Sequence, residues 1–185
     1  SGMRADVITV AARTGGPGAA GISLFAVETA GCEGLERTSL PKMGWICSDT
    51  ATLHFDDVRV PADNLLGPEN AGFLGIMQNF NQERLSIASM ALGFSEVCYQ
   101  QAVEYGRLRS TFGKPLIKHQ VIRHKLVDMR QRIEALRSSI ELLTWRVDKR
   151  QWPIAEVCML KNQATQCFEF CAKEAVQIFG GAGYI

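Results

Sequence analysis

The sequence has no long run of charge of one sign and no apolar run of membrane-spanning length. Its 20 lysines and arginines nearly balance its 19 aspartates and glutamates, which gives a formal net charge of +1. A membrane-spanning helix needs about 18 or more consecutive apolar residues, and no such stretch is present. Nucleic acid, an acidic membrane and a membrane span are therefore disfavoured as partners or functions.

The sequence also lacks a CxxC motif and any regular cysteine framework. Its six cysteines are scattered, and several fall on apolar helical positions. Such thiols are typical of reduced, buried side chains in a reducing compartment, which suits a bacterial cytoplasm or a mitochondrial matrix. Cys167 and Cys171 lie four residues apart, but no further ligands lie near them in the sequence. We therefore predict no metal site.

The residue pattern in the first third of the chain predicts β-strands. Three segments read as strands: DVITVAAR, GISLFAVE and ATLHFDDVRVP. In the third segment the apolar alternation is interrupted at Asp56 and Asp57 and resumes at Val58 and Val60. This pattern predicts a bulge or bend within one strand that ends at Pro61.

From about residue 71 onward the apolar period becomes helical, and three long helices are predicted. The first covers about 71–108, with a possible break near Phe80. The second and third carry apolar residues at alternating spacings of four and three, which is typical of helices packed at shallow angles in an antiparallel bundle. The second-helix seam comprises Ile122, Leu126, Met129, Ile133, Leu136, Ile140, Leu143 and Val147. The third, which opens after Pro153, comprises Ile154, Val157, Lys161, Ala164, Phe168, Cys171, Ala175 and Ile178.

The predicted fold class is α+β. Residues 1–67 form antiparallel strands of a partial β-barrel or sandwich domain, and residues 68–185 form an antiparallel bundle of three long helices. Three amphipathic helices and about three strands leave apolar faces uncovered. We therefore expect further sequence at each end of the chain.

Two charged residues interrupt an apolar stripe on the first helix. Phe80, Ile87, Ala91 and Phe94 fall on one side of that helix, and Glu83 and Arg84 lie on the same stripe. Neighbouring positions on a helix point about 100° apart, so Glu83 and Arg84 cannot form a good ion pair with each other. A semi-buried charge is costly unless it is paired. Either each charge has a partner on another helix, or the stripe faces a ligand cavity.

Two loops are further candidates for binding. In RSTFGK, Arg109 could reach a phosphate or carboxylate while Phe112 covers an aromatic ligand. The alternative is a simple helix-ending loop in which Gly113 takes a positive φ. In QIFGGAG the glycines could permit close backbone approach to a ligand, or they could only cap the third helix.

The chain resembles the acyl-CoA dehydrogenase family in four segments and in their order. These segments are KMGWICSDTATLHFDDVRVPADNLLGPENAGF, NQERLSIASMALG, RSTFGKPLIKHQ and VQIFGGAGY. The resemblance covers essentially the whole chain, from the second half of the middle β-domain into most of the C-terminal helical domain. It implies binding of FAD and oxidation of an acyl-CoA thioester to its trans-2-enoyl form. A glutamate removes the α-proton while a hydride passes to flavin N5.

The resemblance also implies roles for individual residues. Glu83 matches the base position of the isovaleryl- and long-chain-like branches, although most branches carry their base beyond the GGxGY segment. Asn81 and Arg84 match positions that contact the CoA portion. The residues that match FAD contacts are Arg109, Thr111, Phe112, Leu116, Gln120, Gln177 and Gly181.

In relatives these residues reach a flavin held mainly by the neighbouring subunit, which implies a homo-oligomer, a dimer or tetramer. An electron-transfer flavoprotein is the expected electron acceptor. Three alternatives stay open: an acyl-CoA oxidase, a flavin monooxygenase of the same fold, and a non-catalytic helical interaction module.

Overall fold

The structure is a computed structural model that describes residues 1–185, and these residues form two compact units, 1–78 and 79–185. The first unit contains most of the strands, and the second contains most of the helices and one short hairpin. The fold class is α+β, as predicted, and the strands do not close into a barrel.

The first unit is built on two small antiparallel sheets. Strands β1 (Val7–Arg13), β2 (Ile22–Glu28) and β5 (Leu65–Leu66) form one sheet in the order β1-β2-β5. Strands β3 (Leu35–Ser39) and β4 (Ala51–Phe55) form the other. The sequence thus located β1, β2 and β4, but it gave no sign of β3, whose five residues are mostly polar.

The strand predicted to continue past the two aspartates ends instead at Phe55. Leu35 is the first residue of β3 and pairs with Phe55, so the partner strand has nothing left to pair with Val58 or Val60. Asp57 then takes a left-handed conformation with φ 48°, which turns the chain away. The predicted bend at Asp56 and Asp57 is present, but the strand does not resume after it, so the prediction of one strand that ends at Pro61 is wrong.

Asp49 ties the β3–β4 loop to the start of the chain. Its carboxylate accepts hydrogen bonds from the backbone N–H groups of Met3 and Arg4 at 3.1 and 2.9 Å, and the Arg4 guanidinium lies 3.4 Å away. Desolvation raises the pKa of Asp49, but the backbone and Arg4 hydrogen bonds outweigh it and lower the pKa to about 2.

Three long helices follow: α1 (Gly72–Leu108), α2 (Gln120–Asp148) and α3 (Ile154–Phe179). Their bounds confirm the prediction, except that α1 runs through Phe80 without a break. Pro153 is the residue immediately before α3, where its fixed φ and missing N–H are tolerated. None of the three helices is long and apolar enough to cross a membrane.

The core of the second unit lies where the three helices meet. The predicted α2 seam is buried from Leu126 to Leu143, and α3 adds a buried row from Val157 to Ile178. In contrast, α1 contributes mainly small residues to this core: Ala88, Ala91 and Ala102, with the buried hydroxyl of Ser95 donating to the Ala91 carbonyl at 2.7 Å. Small residues permit close helix approach. Larger α1 side chains, among them Leu85, Leu92 and Tyr99, pack partly buried against this core, whereas Phe80, Ile87 and Met90 are exposed.

All six cysteines are free thiols, and Cys167 and Cys171 lie in the core as expected, whereas Cys47 is exposed. The Cys171 thiol donates to Cys167 and lowers the pKa of Cys167 to about 7, while the pKa of Cys171 is raised. No group of three or more metal-ligating side chains comes together in the structure.

Candidate functional site

Glu83 lies on the outer side of α1, and its side chain is exposed. Phe80, Ile87 and Phe94 are also 37–42% exposed, and only Ala91 of the predicted stripe is buried. The expectation that Glu83 interrupts a buried face is therefore wrong for this chain. The reason is the small-residue packing of α1, which turns the side with the alanines toward the core.

The exposed side of α1 is nevertheless strongly apolar. Exposed apolar side chains recur along it at spacings of seven, three, four and three: Phe80, Ile87, Met90, Phe94 and Val97. Glu83 falls within this series, three residues after Phe80 and four before Ile87. The carboxylate therefore stands in an apolar surface, although that surface is not the core.

Neither charge at this point of α1 has an ionic partner. Asn79 Nδ2 donates to Glu83 Oε1 at 2.6 Å, and Arg84 Nη1 donates to Asn81 Oδ1 at 2.8 Å. Each charge is thus held by a neutral amide on its own helix. One of the two expected alternatives was that Glu83 and Arg84 each pair with a charge on another helix, and the structure does not show such pairs.

Other charges of the bundle do pair across helices. Lys125 of α2 pairs with Glu174 of α3, and Arg137 of α2 pairs with Glu96 of α1. The absence of a counter-ion at Glu83 and Arg84 is thus a local feature of this surface. Neither group is occupied by an ion pair within this chain.

A cavity of about 510 Å³ lies at the end of the bundle, where α1 and α3 end and α2 begins. We call it the bundle-end cavity. It gathers five of the seven side chains or glycines predicted to contact a cofactor: Arg109, Thr111, Leu116, Gln177 and Gly181. Its further lining residues are Tyr105, Ile122, Ile178, Phe179, Gly180 and Ala182.

The 109–119 loop brings its residues to the cavity through a small hairpin. Strands β6 (Ser110–Thr111) and β7 (Lys114–Pro115) pair around Phe112 and Gly113. Gly113 has the predicted positive φ, at 78°, and Phe112 is left-handed as well, at 50°. The turn is fixed from the other side by His119, whose Nε2 lies 3.3 Å from Thr111 Oγ1.

Two predicted contacts do not line the cavity. Phe112 sits at the hairpin tip with 97% of its surface exposed, and Gln120 is exposed at the first position of α2. A left-handed φ on a bulky residue is unusual and is commonly associated with function. Phe112 is therefore displayed to the outside, and it does not pack on its own chain beyond an edge contact with His119.

The sequence reasoning missed an aromatic wall of the cavity. Tyr105 of α1 stacks on Phe179 at the end of α3, with ring centroids 4.4 Å apart. The available signal was position: Tyr105 lies one turn before Arg109, and Phe179 lies between Gln177 and Gly181. Tyr105 thus lies at helical spacing from one predicted contact, and Phe179 lies two residues from each of two others.

The surroundings of the cavity are positively charged. Residues 105–127 contain six lysines and arginines and no aspartate or glutamate. Only Lys125 among these six forms an ion pair. The guanidinium of Arg109 at the cavity itself is exposed and has no counter-ion, which suits a diphosphate or another multiply charged anion.

The glycines Gly180 and Gly181, in the segment that follows α3, leave open space beside the cavity. A Cβ added to Gly180 or Gly181 would meet no heavy atom within 4 Å. Gly180 needs to be glycine because of its φ of 60°, which caps α3 as predicted. Gly181 has neither that constraint nor a close neighbour, so no packing within this chain explains why it is a glycine. A ligand close to its backbone would explain it.

Comparison with known proteins agrees with these features. Residues 70–185 match the family described as acyl-CoA dehydrogenase, C-terminal domain. The long-chain specific mitochondrial acyl-CoA dehydrogenase of Rattus norvegicus is 37% identical over 180 residues, covering 97% of this chain and 42% of the relative.

Two solved structures are similar over the whole chain. One is described as a probable acyl CoA dehydrogenase of Mycobacterium abscessus, with TM-score 0.96 and 47% identity over 100% of this chain and 49% of the other. The second is described as the electron transferring flavoprotein of Acidaminococcus fermentans, with TM-score 0.95 and 35% identity over 100% and 49%. The chain thus spans about half the length of the relatives it matches.

Proposed function

Because this chain belongs to the acyl-CoA dehydrogenase family, we propose that its protein oxidises an acyl-CoA thioester to the trans-2-enoyl-CoA with FAD as cofactor. The observation that carries the proposal is the bundle-end cavity. Five of seven residues singled out as FAD contacts from the sequence line a single cavity in the structure. The enzyme belongs to the oxidoreductases that act on CH–CH bonds.

The residues present suit a dinucleotide. Arg109 offers charge-assisted hydrogen bonds to a diphosphate, and Thr111 and Gln177 offer neutral ones. Gly181 allows the ligand to approach the backbone, and Leu116 supplies an apolar contact. We assign Phe112, exposed at the hairpin tip, the role of covering an aromatic group of the same ligand, and Gln120, at the start of α2, a further contact with it.

FAD, when bound, supplies the hydride acceptor, flavin N5, for the β-carbon of the substrate. Glu83 removes the α-proton as general base, since it lies in the exposed apolar surface of α1 without a cationic partner, whereas Glu96, the other carboxylate between Phe80 and Val97, pairs with Arg137. Arg84 and Asn81 bind the CoA portion. The proposal requires this surface to become a wall of the acyl cavity in the complete enzyme, because proton abstraction next to a thioester needs a dry site.

The proposed partners follow from the same family assignment. The protein is a homo-oligomer, a dimer or tetramer, in which the bundle-end cavity contacts a flavin held mainly by a neighbouring subunit. An electron-transfer flavoprotein takes the electrons onward. The proposed location of the protein is a bacterial cytoplasm or a mitochondrial matrix.

Anaerobic bleaching of the flavin tests the proposal. The full-length protein is mixed with a panel of straight-chain and branched acyl-CoAs, and the flavin absorbance is followed with the enoyl-CoA product. We expect stoichiometric bleaching by at least one acyl-CoA, without oxygen. A yellow protein that no acyl-CoA reduces would indicate a monooxygenase of the same fold, and a colourless protein that ignores both ligands would indicate a non-catalytic module.

The same preparation separates a dehydrogenase from an acyl-CoA oxidase. Both enzymes abstract the α-proton, but only the oxidase lets oxygen reoxidise the flavin. Rapid oxygen consumption with release of hydrogen peroxide during turnover would contradict the assignment as a dehydrogenase. We expect turnover to depend on added electron-transfer flavoprotein.

A further inference from the structure

We propose that Asn79 is a positioning residue that holds the Glu83 carboxylate in the orientation needed for proton abstraction. This inference rests on the proposed function, because it assigns Glu83 the role of base. Its own observation is the hydrogen bond of 2.6 Å from Asn79 Nδ2 to Glu83 Oε1.

The geometry leaves one oxygen of Glu83 free. Asn79 lies one helical turn before Glu83, where the two side chains meet on the same face. Its amide is the donor that the structure gives this carboxylate, and it contacts Oε1 alone. Oε2 is therefore available to the substrate, while Oε1 is anchored to the helix that carries the base.

The neighbouring charge is restrained in the same way. Asn81 accepts from Arg84 Nη1 at 2.8 Å, so each asparagine holds one charge of the Glu83–Arg84 pair. The two interactions keep the carboxylate and the guanidinium apart, although they are adjacent in sequence. Without Asn79, Glu83 would sample several rotamers, and only a fraction of them would face the α-carbon.

This role differs from a structural one. A polar pair at i,i+4 on an exposed helix face contributes little to stability. Loss of Asn79 should leave folding, cofactor content and ligand affinity nearly unchanged. It should reduce only the step in which the proton is removed.

The test uses the full-length FAD enzyme with three substitutions of Asn79 and one control substitution. Asn79→Ala removes the amide, Asn79→Asp keeps the shape but has no N–H, and Asn79→Gln keeps an N–H donor. Gln100→Ala removes an exposed amide elsewhere on α1 and serves as the matched control. The measurements are the limiting rate of anaerobic flavin reduction, the calorimetric dissociation constant for the enoyl-CoA product, and the FAD content.

We expect Asn79→Ala and Asn79→Asp to lower the limiting rate about tenfold or more, as for loss of one hydrogen bond to a charged group. Product affinity should stay within about twofold, Asn79→Gln should recover most of the rate, and Gln100→Ala should resemble the parent. Parental rates in the Ala and Asp variants, or equal slowing in the Gln variant or the control, would overturn the inference.

Glu83→Gln, measured in parallel, separates this inference from the proposed function. If Glu83→Gln is slow and Asn79→Ala is not, the positioning role of Asn79 fails and the base assignment stands. If Glu83→Gln keeps the parental rate, Glu83 is not the base and both assignments fail.

Discussion

Replacement of Gly181 should remove FAD without unfolding the protein. A side chain at this position meets no protein atom within 4 Å of its Cβ, so Gly181→Val has nothing to displace inside the chain. The free energy of unfolding should change by no more than about 0.5 kcal/mol. The same side chain would occupy the space beside the bundle-end cavity, and the FAD dissociation constant should rise by about tenfold or more, or 1.4 kcal/mol.

Gly183 is the matched control, two residues further on. A Cβ there would lie 2.7 Å from the Val176 carbonyl oxygen and 3.1 Å from Phe179 Cβ, which is well inside the usual contact distance. Gly183→Ala should therefore cost about 1–3 kcal/mol of stability through the packing at the end of α3.

The assay has two readouts on the full-length protein: urea unfolding of the apoprotein, and FAD affinity by fluorescence titration. The expected result is opposite behaviour of the two glycines. If Gly181→Val binds FAD as tightly as the parent, the cavity does not hold the flavin nucleotide. If it unfolds as readily as Gly183→Ala, the open space beside Gly181 has a structural role instead.

Three further predictions concern charge, packing and pH. Arg109→Ala should lower FAD retention after gel filtration, because it removes the cationic donor of the cavity. Arg107→Ala should retain FAD, because Arg107 lies two residues earlier and does not line the cavity. Leu136→Ala, at a fully buried α2 position, should cost about 3 kcal/mol in urea unfolding, and a cost below 1 kcal/mol would contradict the packing described. Because the folded-state pKa of Asp49 is lowered, its stabilisation is present above about pH 4 and is lost as the pH falls toward 2. Asp49→Asn should therefore be less stable than the parent at pH 5, and this difference should shrink at pH 2.5.

The helices were predictable because their signal is local and repeated. The alternating spacing of the α2 seam continues over seven turns, and every position from Leu126 to Leu143 in that series is buried. Pro153 and Gly180 mark the two ends of α3 through their backbone preferences. Such patterns need no knowledge of what the rest of the chain does.

The side of α1 that faces the core was not predictable from the large apolar residues. Phe80 and Ile87 suggested the buried side, but Ala88, Ala91 and Ala102 occupy it. Hydrophobic periodicity cannot separate a core face from an apolar surface that serves another purpose. Strand β3 was missed for a different reason, because its pairing with β4 is decided by contacts between strands and not by its own polar sequence.

For the candidate site, the resemblance identified the residues and the structure supplied their arrangement. The loop residues Arg109 and Thr111 and the distant Gln177 meet at one cavity, which neither motif alone could establish. The partners of Glu83 and Arg84 were not predictable either. Asparagine at positions 79 and 81 is a weak signal in a sequence, and only side-chain geometry shows which charge each one holds.

The limiting rate of anaerobic flavin reduction in Glu83→Gln of the full-length enzyme decides whether Glu83 is the base. The substitution keeps the shape of the side chain and removes its basicity. We predict normal FAD content, acyl-CoA affinity close to that of the parent, and a rate lower by a factor of about 10² to 10⁴, the range of general base catalysis. Flavin reduction at the parental rate would contradict the assignment of Glu83 as the base.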